Sequence, residues 1–251
     1  MQIIIPDKDG RATLDQSSAG IISRIKALHP DAVVTTILNG PNRTQLREIA
    51  LAAKDVQALV CPGTDENSHD NDRGMVGATL FGYEQALARR WGGPIIKLDS
   101  AEHDPAFIAH LVNMAEKYGA AIGDLDFSAG GLTPGSYDYW IHTEVFPNLY
   151  GACTEDKLRL SCAHGFQAYR RDVLIKAMNT ANQIVVSVEI ETGKLMQWGL
   201  DGAIALSALK SGCDVQVIKV PAVTKRDRDV GRINSQLRHH MHVIAAAMRI
   251  W

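Results

Sequence analysis

The chain opens Gln2-Ile3-Ile4-Ile5-Pro6-Asp7-Lys8-Asp9. Residues 2–5 are a short β-branched run, which favours an extended backbone, and Pro6 stops it. Similar runs recur at Ala32–Ile37, Ala58–Cys61 and Pro94–Leu98, each followed by a longer segment of helical periodicity. Gly20–Leu28, Arg43–Ala53 and Val76–Ala88 place apolar residues three and four apart, so each can lay one face on a sheet. Strand and helix in alternation predict parallel strands joined by crossover helices.

Beyond residue 126 the texture changes. Phe127 to Tyr139 is rich in Gly, Ser, Pro and aromatics, and the remainder predicts a strand at Ile184–Ile190, a helix at Gly199–Ser211 and a strand at Asp214–Val220. In the tail, Leu237, Met241, Ile244, Met248 and Trp251 are spaced 4, 3, 4 and 3, which draws one apolar stripe down a helix. No internal repeat is present.

Composition narrows the function classes. Lys and Arg total 26 against 28 Asp and Glu, a formal net charge of -2, so no global basic field recruits nucleic acid and any anion site is local. Cys61, Cys153, Cys162 and Cys213 lie far apart without a Cys-x-x-Cys pair, which argues against a zinc knuckle or disulfide framework and for a reduced, cytoplasmic setting. Neither a secretion signal nor a transmembrane helix is expected, because no apolar run approaches the ~18 residues of a span.

In an open parallel sheet, ligands bind beyond the carboxyl ends of the strands. The residues there are polar: Asp7, Lys8 and Asp9 after the first strand, Asn39-Gly40-Pro41-Asn42 after the second, the long loop Gly63–Arg73 after the third, and Asp99-Ser100-Ala101-Glu102-His103-Asp104-Pro105 after the fourth. Crowded carboxylates suit a hard cation such as Mg²⁺ or Mn²⁺ carrying a diphosphate better than they suit zinc. Asp104 before Pro105 also fits a helix cap. In Arg73-Gly74-Met75-Val76-Gly77 the glycines let backbone approach a ligand and Arg73 offers a charged fork, although the same pattern serves as a plain turn before a helix. Lys225-Arg226-Asp227-Arg228-Asp229 is either a phosphate-binding loop or a self-neutralising charge run. His239 and His242 lack an acid within their turn, and Cys162 near His164 lacks an orienting third group, so neither pair predicts metal binding or covalent catalysis.

Taken in order, these segments resemble family 2-like glycosyltransferases of the GT-A fold, especially the polyprenyl-phosphate mannose synthase type. Ile3-Ile4-Ile5-Pro6 resembles that family's opening strand, and Asn39-Gly40-Pro41-Asn42-Arg43-Thr44 its first nucleotide turn. Gly74-Met75-Val76-Gly77-Ala78 with Gly82 is similar to its glycine-bearing helix start, and Leu98–Pro105 to the segment holding its Asp-x-Asp motif. His164-Gly165-Phe166 through Arg171, Trp198-Gly199-Leu200-Asp201, and Lys219-Val220-Pro221 with Arg228-Asp229-Val230-Gly231 resemble its later segments, so the likeness spans most of the chain. Ala101 stands where the second acid of the metal motif belongs, Asn39 where an acid is usual, and Met75 where a lysine is usual.

The resemblance implies a single GT-A-type, Rossmann-like three-layer α/β sandwich over residues 1–251 with a mostly parallel central sheet. It assigns 1–126 to a nucleotide-sugar-binding half, 127–231 to an acceptor half and 232–251 to a C-terminal helix. It implies that Pro6, Asp7, Asp9, Asn39, Arg73, Gly74 and Gly77 line the nucleotide site, and that Asp99 with Glu102 holds the Mg²⁺ or Mn²⁺ that bridges the diphosphate. His164, Arg226 and Arg228 would meet the acceptor or its phosphate, and Asp201 would take the acceptor proton. The expected activity is transfer of a hexose from a nucleoside-diphosphate sugar to a small or lipid-linked acceptor, one that can bear phosphate. The alternatives are a non-catalytic nucleotide- or partner-binding descendant and a nucleotidyltransferase. The setting is cytoplasmic or peripheral at a membrane, and the tail helix is a candidate homodimer contact.

Overall fold

The computed structural model describes every residue except 41, 63–73, 90, 100–102, 128–130, 162–164, 222–228 and 251. The described strands β1 (Gln2–Lys8), β2 (Val33–Asn39), β3 (Gln57–Val60), β4 (Ile95–Lys97), β5 (Gly119–Asp126), β6 (Phe166–Tyr169) and β7 (Asp214–Pro221) form one sheet in the order β3-β2-β1-β4-β6-β5-β7. All neighbours run parallel except β6, which is antiparallel to both β4 and β5. Strands from both sides of residue 127 share this sheet.

The helices are α1 (Arg11–Leu14), α2 (Ile21–Leu28), α3 (Arg43–Ala52), α4 (Gly74–Ala88), α5 (Ile108–Tyr118), α6 (Tyr137–Trp140), α7 (Phe146–Cys153), α8 (Arg171–Thr192), α9 (Leu200–Lys210) and α10 (Val230–Ile250). Successive strand residues point to opposite faces. Ile3, Ile5, Ile96 and Leu98 therefore meet α2 and α5 on one side, whereas Ile4, Ile37, Ile95 and Ile122 meet α4, α8, α9 and α10 on the other. The result is a three-layer α/β sandwich with a mostly parallel central sheet. Among the described residues no helix is long and apolar enough to cross a membrane.

Pro6 lies where β1 and β4 part. The amide of Leu98 donates to Ile4 O at 3.0 Å, so alternate β1 residues turn their backbone polar groups toward β4, and residue 6 is the next of that set. Proline has no N–H to give. The β1–β4 register ends at Ile4↔Lys97 while β1 pairs with β2 as far as Lys8↔Asn39, so β1 and β4 stop pairing where the topology reverses. Gly82 of α4 is required for close packing, because a Cβ there would lie 2.5 Å from Ile4 Cγ2.

Two sequence expectations are corrected. Ile184–Ile190 is not a strand but the last part of the 22-residue α8. Val173, Leu174, Ala177, Met178, Ala181, Ile184, Val185 and Val188 form one buried helical stripe, so packing overrides the β-branched preference. The tail is a helix, α10, but its buried face is Ile233, Gln236, His240, Val243, Ile244, Ala246 and Ala247, and Met241 and Met248 are 52% and 60% exposed. Ala246 and Ala247 are buried in this contact face, which is therefore rotated from the expected stripe. Trp251 lies outside the described residues.

Candidate active site

At the carboxyl end of β4, the side chains of Ile95, Lys97 and Asp99 turn to the face covered by α9, whose first turn carries Asp201. The three charged groups meet. Lys97 Nζ lies 2.7 Å from Asp99 Oδ1 and 2.8 Å from Asp201 Oδ2. Lys97 has 0% side-chain exposure, whereas Asp99 and Asp201 retain 24% and 22%, so the ammonium is internal and the carboxylates reach the surface. Burial opposes the charged ammonium, yet the attraction of Asp201 and then Asp99 outweighs it and holds the Lys97 pKa above the ordinary lysine range. Asp201 Oδ1 is buried and has no hydrogen-bond partner among the described residues.

The neighbouring strand supports this cluster. Gln167 is in register with Lys97 and donates from Nε2 to the Asp201 carbonyl at 3.1 Å, while Tyr169 Oη donates to Gln167 Oε1 at 2.9 Å. Gly165, just before β6, lies directly under the Asp99 carboxylate: a Cβ there would sit 1.7 Å from Asp99 Oδ2 and 3.0 Å from Lys97 Nζ. Lys97 escaped the sequence reading. Its signal was a lysine at the end of an otherwise apolar run, Pro94-Ile95-Ile96-Lys97-Leu98.

The expected nucleotide residues divide into two groups. Asp9 and Asn39 come together at the same sheet edge: the Asp9 amide donates to Asn39 O at 2.8 Å, and Asp9 has φ 57°, a left-handed conformation that Asp tolerates better than most residues. Asp9 leaves 41% of its side chain exposed. Asp7 does not fit the expected base or ribose contact. It is 1% exposed, its Oδ1 accepts from the Ala12 amide at 2.8 Å, and its Oδ2 accepts from the Thr13 amide and hydroxyl at 2.8 and 2.7 Å. A carboxylate so engaged holds α1 and has no open face for a ligand. Asp7→Ala is therefore expected to lose about 2 kcal/mol in chemical denaturation, the upper end of an N-cap loss, because the change also leaves the Thr13 hydroxyl with one partner fewer. A loss of donor affinity at unchanged stability would restore the nucleotide role.

Gly74 and Gly77 lie in the first turn of α4, and Pro6 is buried in β1. Asp104 caps the turn Pro105–Phe107 by accepting from the Ala106 amide at 3.1 Å and pairs with Arg24 at 2.7 Å, so its place is structural. Arg73, Glu102, His164, Arg226 and Arg228 lie outside the described residues, as does Ala101. His240 is buried against Tyr150 Oη at 2.7 Å. Burial raises the Cys153 thiol to about 11, which removes it as a ready nucleophile.

On the same edge, Asp124 of β5 is fully buried; it accepts from the Ser161 amide and hydroxyl and from Lys219 Nζ at 2.6 Å. Lys219 of β7 keeps 54% of its side chain exposed while it pairs with the buried Asp124.

Of the two expected cation ligands Asp99 is described and Glu102 is not, and the described residues alone do not make a cation site. Mg²⁺ requires near-octahedral oxygen coordination at about 2.0–2.1 Å. Asp99 and Asp201 already share one ammonium, the oxygens of Asp7 are occupied, and among the described residues no group of three or more His, Cys, Asp or Glu could hold a metal. A fixed ammonium opposes a cation by about 4 kcal/mol per unit charge at 4 Å in a partly polar setting.

No protein-family model matches the chain, and no curated protein matches it by sequence. Solved structures match it over nearly its whole length. Glucosyl-3-phosphoglycerate synthase of M. tuberculosis superposes with a TM-score of 0.63 at 14% identity, covering 99% of this chain and 80% of that one. The same synthase in complex with Mn²⁺, uridine diphosphate and phosphoglyceric acid gives 0.62 at 14% identity, over 98% and 78%. The mannosyltransferase PcManGT of Pyrobaculum calidifontis, in complex with GDP-Man and Mn²⁺, gives 0.51 at 12% identity, over 99% and 64%. At these identities the likeness establishes the fold, which is that of GT-A-type glycosyltransferases.

Proposed function

We propose, on the premise of that fold, that the chain is a nucleotide-sugar-dependent glycosyltransferase that moves a hexose to a small, phosphate-bearing acceptor. The observation that carries the proposal is the convergence of Asp99, from the β4 tip, and Asp201, from the start of α9, on one buried ammonium at the carboxyl edge of the sheet. The occurrence of uridine diphosphate and phosphoglyceric acid together in a structural neighbour supports the donor and acceptor classes.

In this reading Asp9 and Asn39 meet the base and ribose, and the sugar lies toward Asp99. Lys219 presents its ammonium to the acceptor phosphate. As the anomeric carbon leaves the diphosphate oxygen and bonds to an acceptor hydroxyl, the hydroxyl proton passes to the carboxylate of Asp201, which keeps 22% of its side chain exposed. Lys97 and Gln167 keep that carboxylate aimed. Where the attacking oxygen belongs to a phosphate, it is already ionised and no base is needed.

Calorimetry with UDP- and GDP-hexoses, followed by nucleoside-diphosphate release in the presence of phosphoglyceric acid, tests the proposal. Asp201→Asn is expected to lower turnover by 10²-fold or more with donor affinity kept, in the range of a general-base loss. Absence of binding to every such sugar nucleotide overturns the proposal, and binding with neither transfer nor hydrolysis supports the binding-only descendant instead. Exposed apolar residues on α8 and α10, among them Val186, Ile190, Met241 and Met248, support pairing of two copies through the C-terminal helix, which light scattering measures.

A further inference from the structure

Lys97 holds Asp99, the described one of the two expected metal ligands, together with Asp201. Its Nζ is within 2.8 Å of both Asp99 and Asp201, in a position with no exposed surface. An ammonium and a hard divalent cation compete for the same carboxylate lone pairs, and like charges so close repel.

Two further observations point the same way. The residue at the place of the second acid of the metal motif is Ala101, which has no oxygen to offer from its side chain, and the neighbouring Glu102 lies outside the described residues. Gly165 lets the Asp99 carboxylate fold back over the β6 entry toward Lys97, since any Cβ there would occupy the space of Asp99 Oδ2. The backbone is thus shaped to bring Asp99 to the ammonium.

We propose that Lys97 is a positioning residue that occupies the carboxylate lone pairs a divalent cation would take at this site, tying the donor-side Asp99 to the acceptor-side Asp201 with a charge built into the fold. Two carboxylates and one ammonium leave a single net negative charge, so Lys97 organises the acids and does not itself touch the diphosphate. The consequence for nucleotide binding rests on the transferase reading; the consequence for metal binding does not.

The test begins with the intact wild-type chain and Mn²⁺ alone, followed by electron paramagnetic resonance of the free ion. Wild type is expected to show no saturable Mn²⁺ binding below the millimolar range. Lys97→Gln, which removes the charge and keeps a polar side chain, is expected to gain Mn²⁺ affinity by roughly tenfold or more, as loss of a nearby like charge implies. A purely structural lysine would give no such gain. Circular dichroism checks that this variant folds; if it does not, the wild-type titration decides alone. One Mn²⁺ bound by wild type at sub-millimolar affinity, and lost in Asp99→Asn, overturns the proposal. Calorimetry of uridine diphosphate in EDTA and in Mn²⁺ separates the two readings. Affinities within about threefold of each other support metal-free binding, on the scale where RT ln 3 is well under one tenfold step. No nucleotide binding in either buffer defeats the transferase reading while leaving the Mn²⁺ result to judge Lys97.

Discussion

Lys97→Met loses about 3 kcal/mol of unfolding free energy in urea titrations and lowers the melting temperature by roughly 6–12 °C for a chain of this size. The lysine is wholly buried and is the shared counter-ion of Asp99 and Asp201, so its removal leaves two carboxylates facing each other without a cation. Breaking a buried pair typically costs about 3–5 kcal/mol; the lower end applies because both acids keep access to water. The pH dependence has a definite sign. The folded lysine has a pKa raised above its ordinary 10.5, so its contribution is complete below pH 10.5 and is lost as pH rises through the folded value. Burial also raises the Tyr83 and Tyr169 phenols well above their ordinary value of 10.0, which adds loss on the same alkaline side. The wild type is therefore expected to weaken above about pH 10, and the Lys97→Met profile to be flatter there. A destabilisation below 1 kcal/mol with an unchanged alkaline limb would show that the ammonium does not bind the two acids together.

The second large effect concerns Gly165→Ala. The added methyl would lie 1.7 Å from Asp99 Oδ2 and 2.5 Å from its Cγ, distances that unbonded atoms do not reach, so the Asp99 carboxylate must leave its place over the β6 entry. Stability is expected to fall by about 1–3 kcal/mol, the range of an overpacked interior site. Transfer is expected to fall by about 10²-fold, because a misplacement of an ångström in a reacting site has that scale. Stopped or coupled assays of nucleoside-diphosphate release measure it. Undiminished turnover in a stably folded Gly165→Ala protein would remove Asp99 from the reaction.

The alternation of Ile3–Ile5, Ala32–Ile37, Ala58–Cys61 and Pro94–Leu98 with amphipathic segments was enough to read the first four strands and the helices between them, because parallel strands and crossover helices carry their period in neighbouring residues. β5 was less legible. Gly119, Gly123, Asp124 and Asp126 are poor strand formers, and pairing with β6 and β7 on either side makes this segment a strand. Ile184–Ile190 erred in the opposite sense, since β-branched residues join a helix when one stripe of that helix is buried.

The site divides in the same manner. That acids and amides gather beyond the strand ends, with Asp9, Asn39 and Asp99 among them, is written in residue order and local pattern, because a strand end is a local event, whereas Asp201, at the start of α9, was legible only through the likeness of Trp198–Asp201 to a family segment. Which acid stays open is not written in local pattern. Asp7 is withdrawn by the amides of α1, Asp99 and Asp201 are brought together from positions 102 residues apart in the chain, and Lys97 gains its role only when β4 lies beside β6 and under α9. The physical reason is range: propensity and periodicity act over a few residues, whereas ion pairing, burial and the space above Gly165 depend on segments that meet only once the chain has folded.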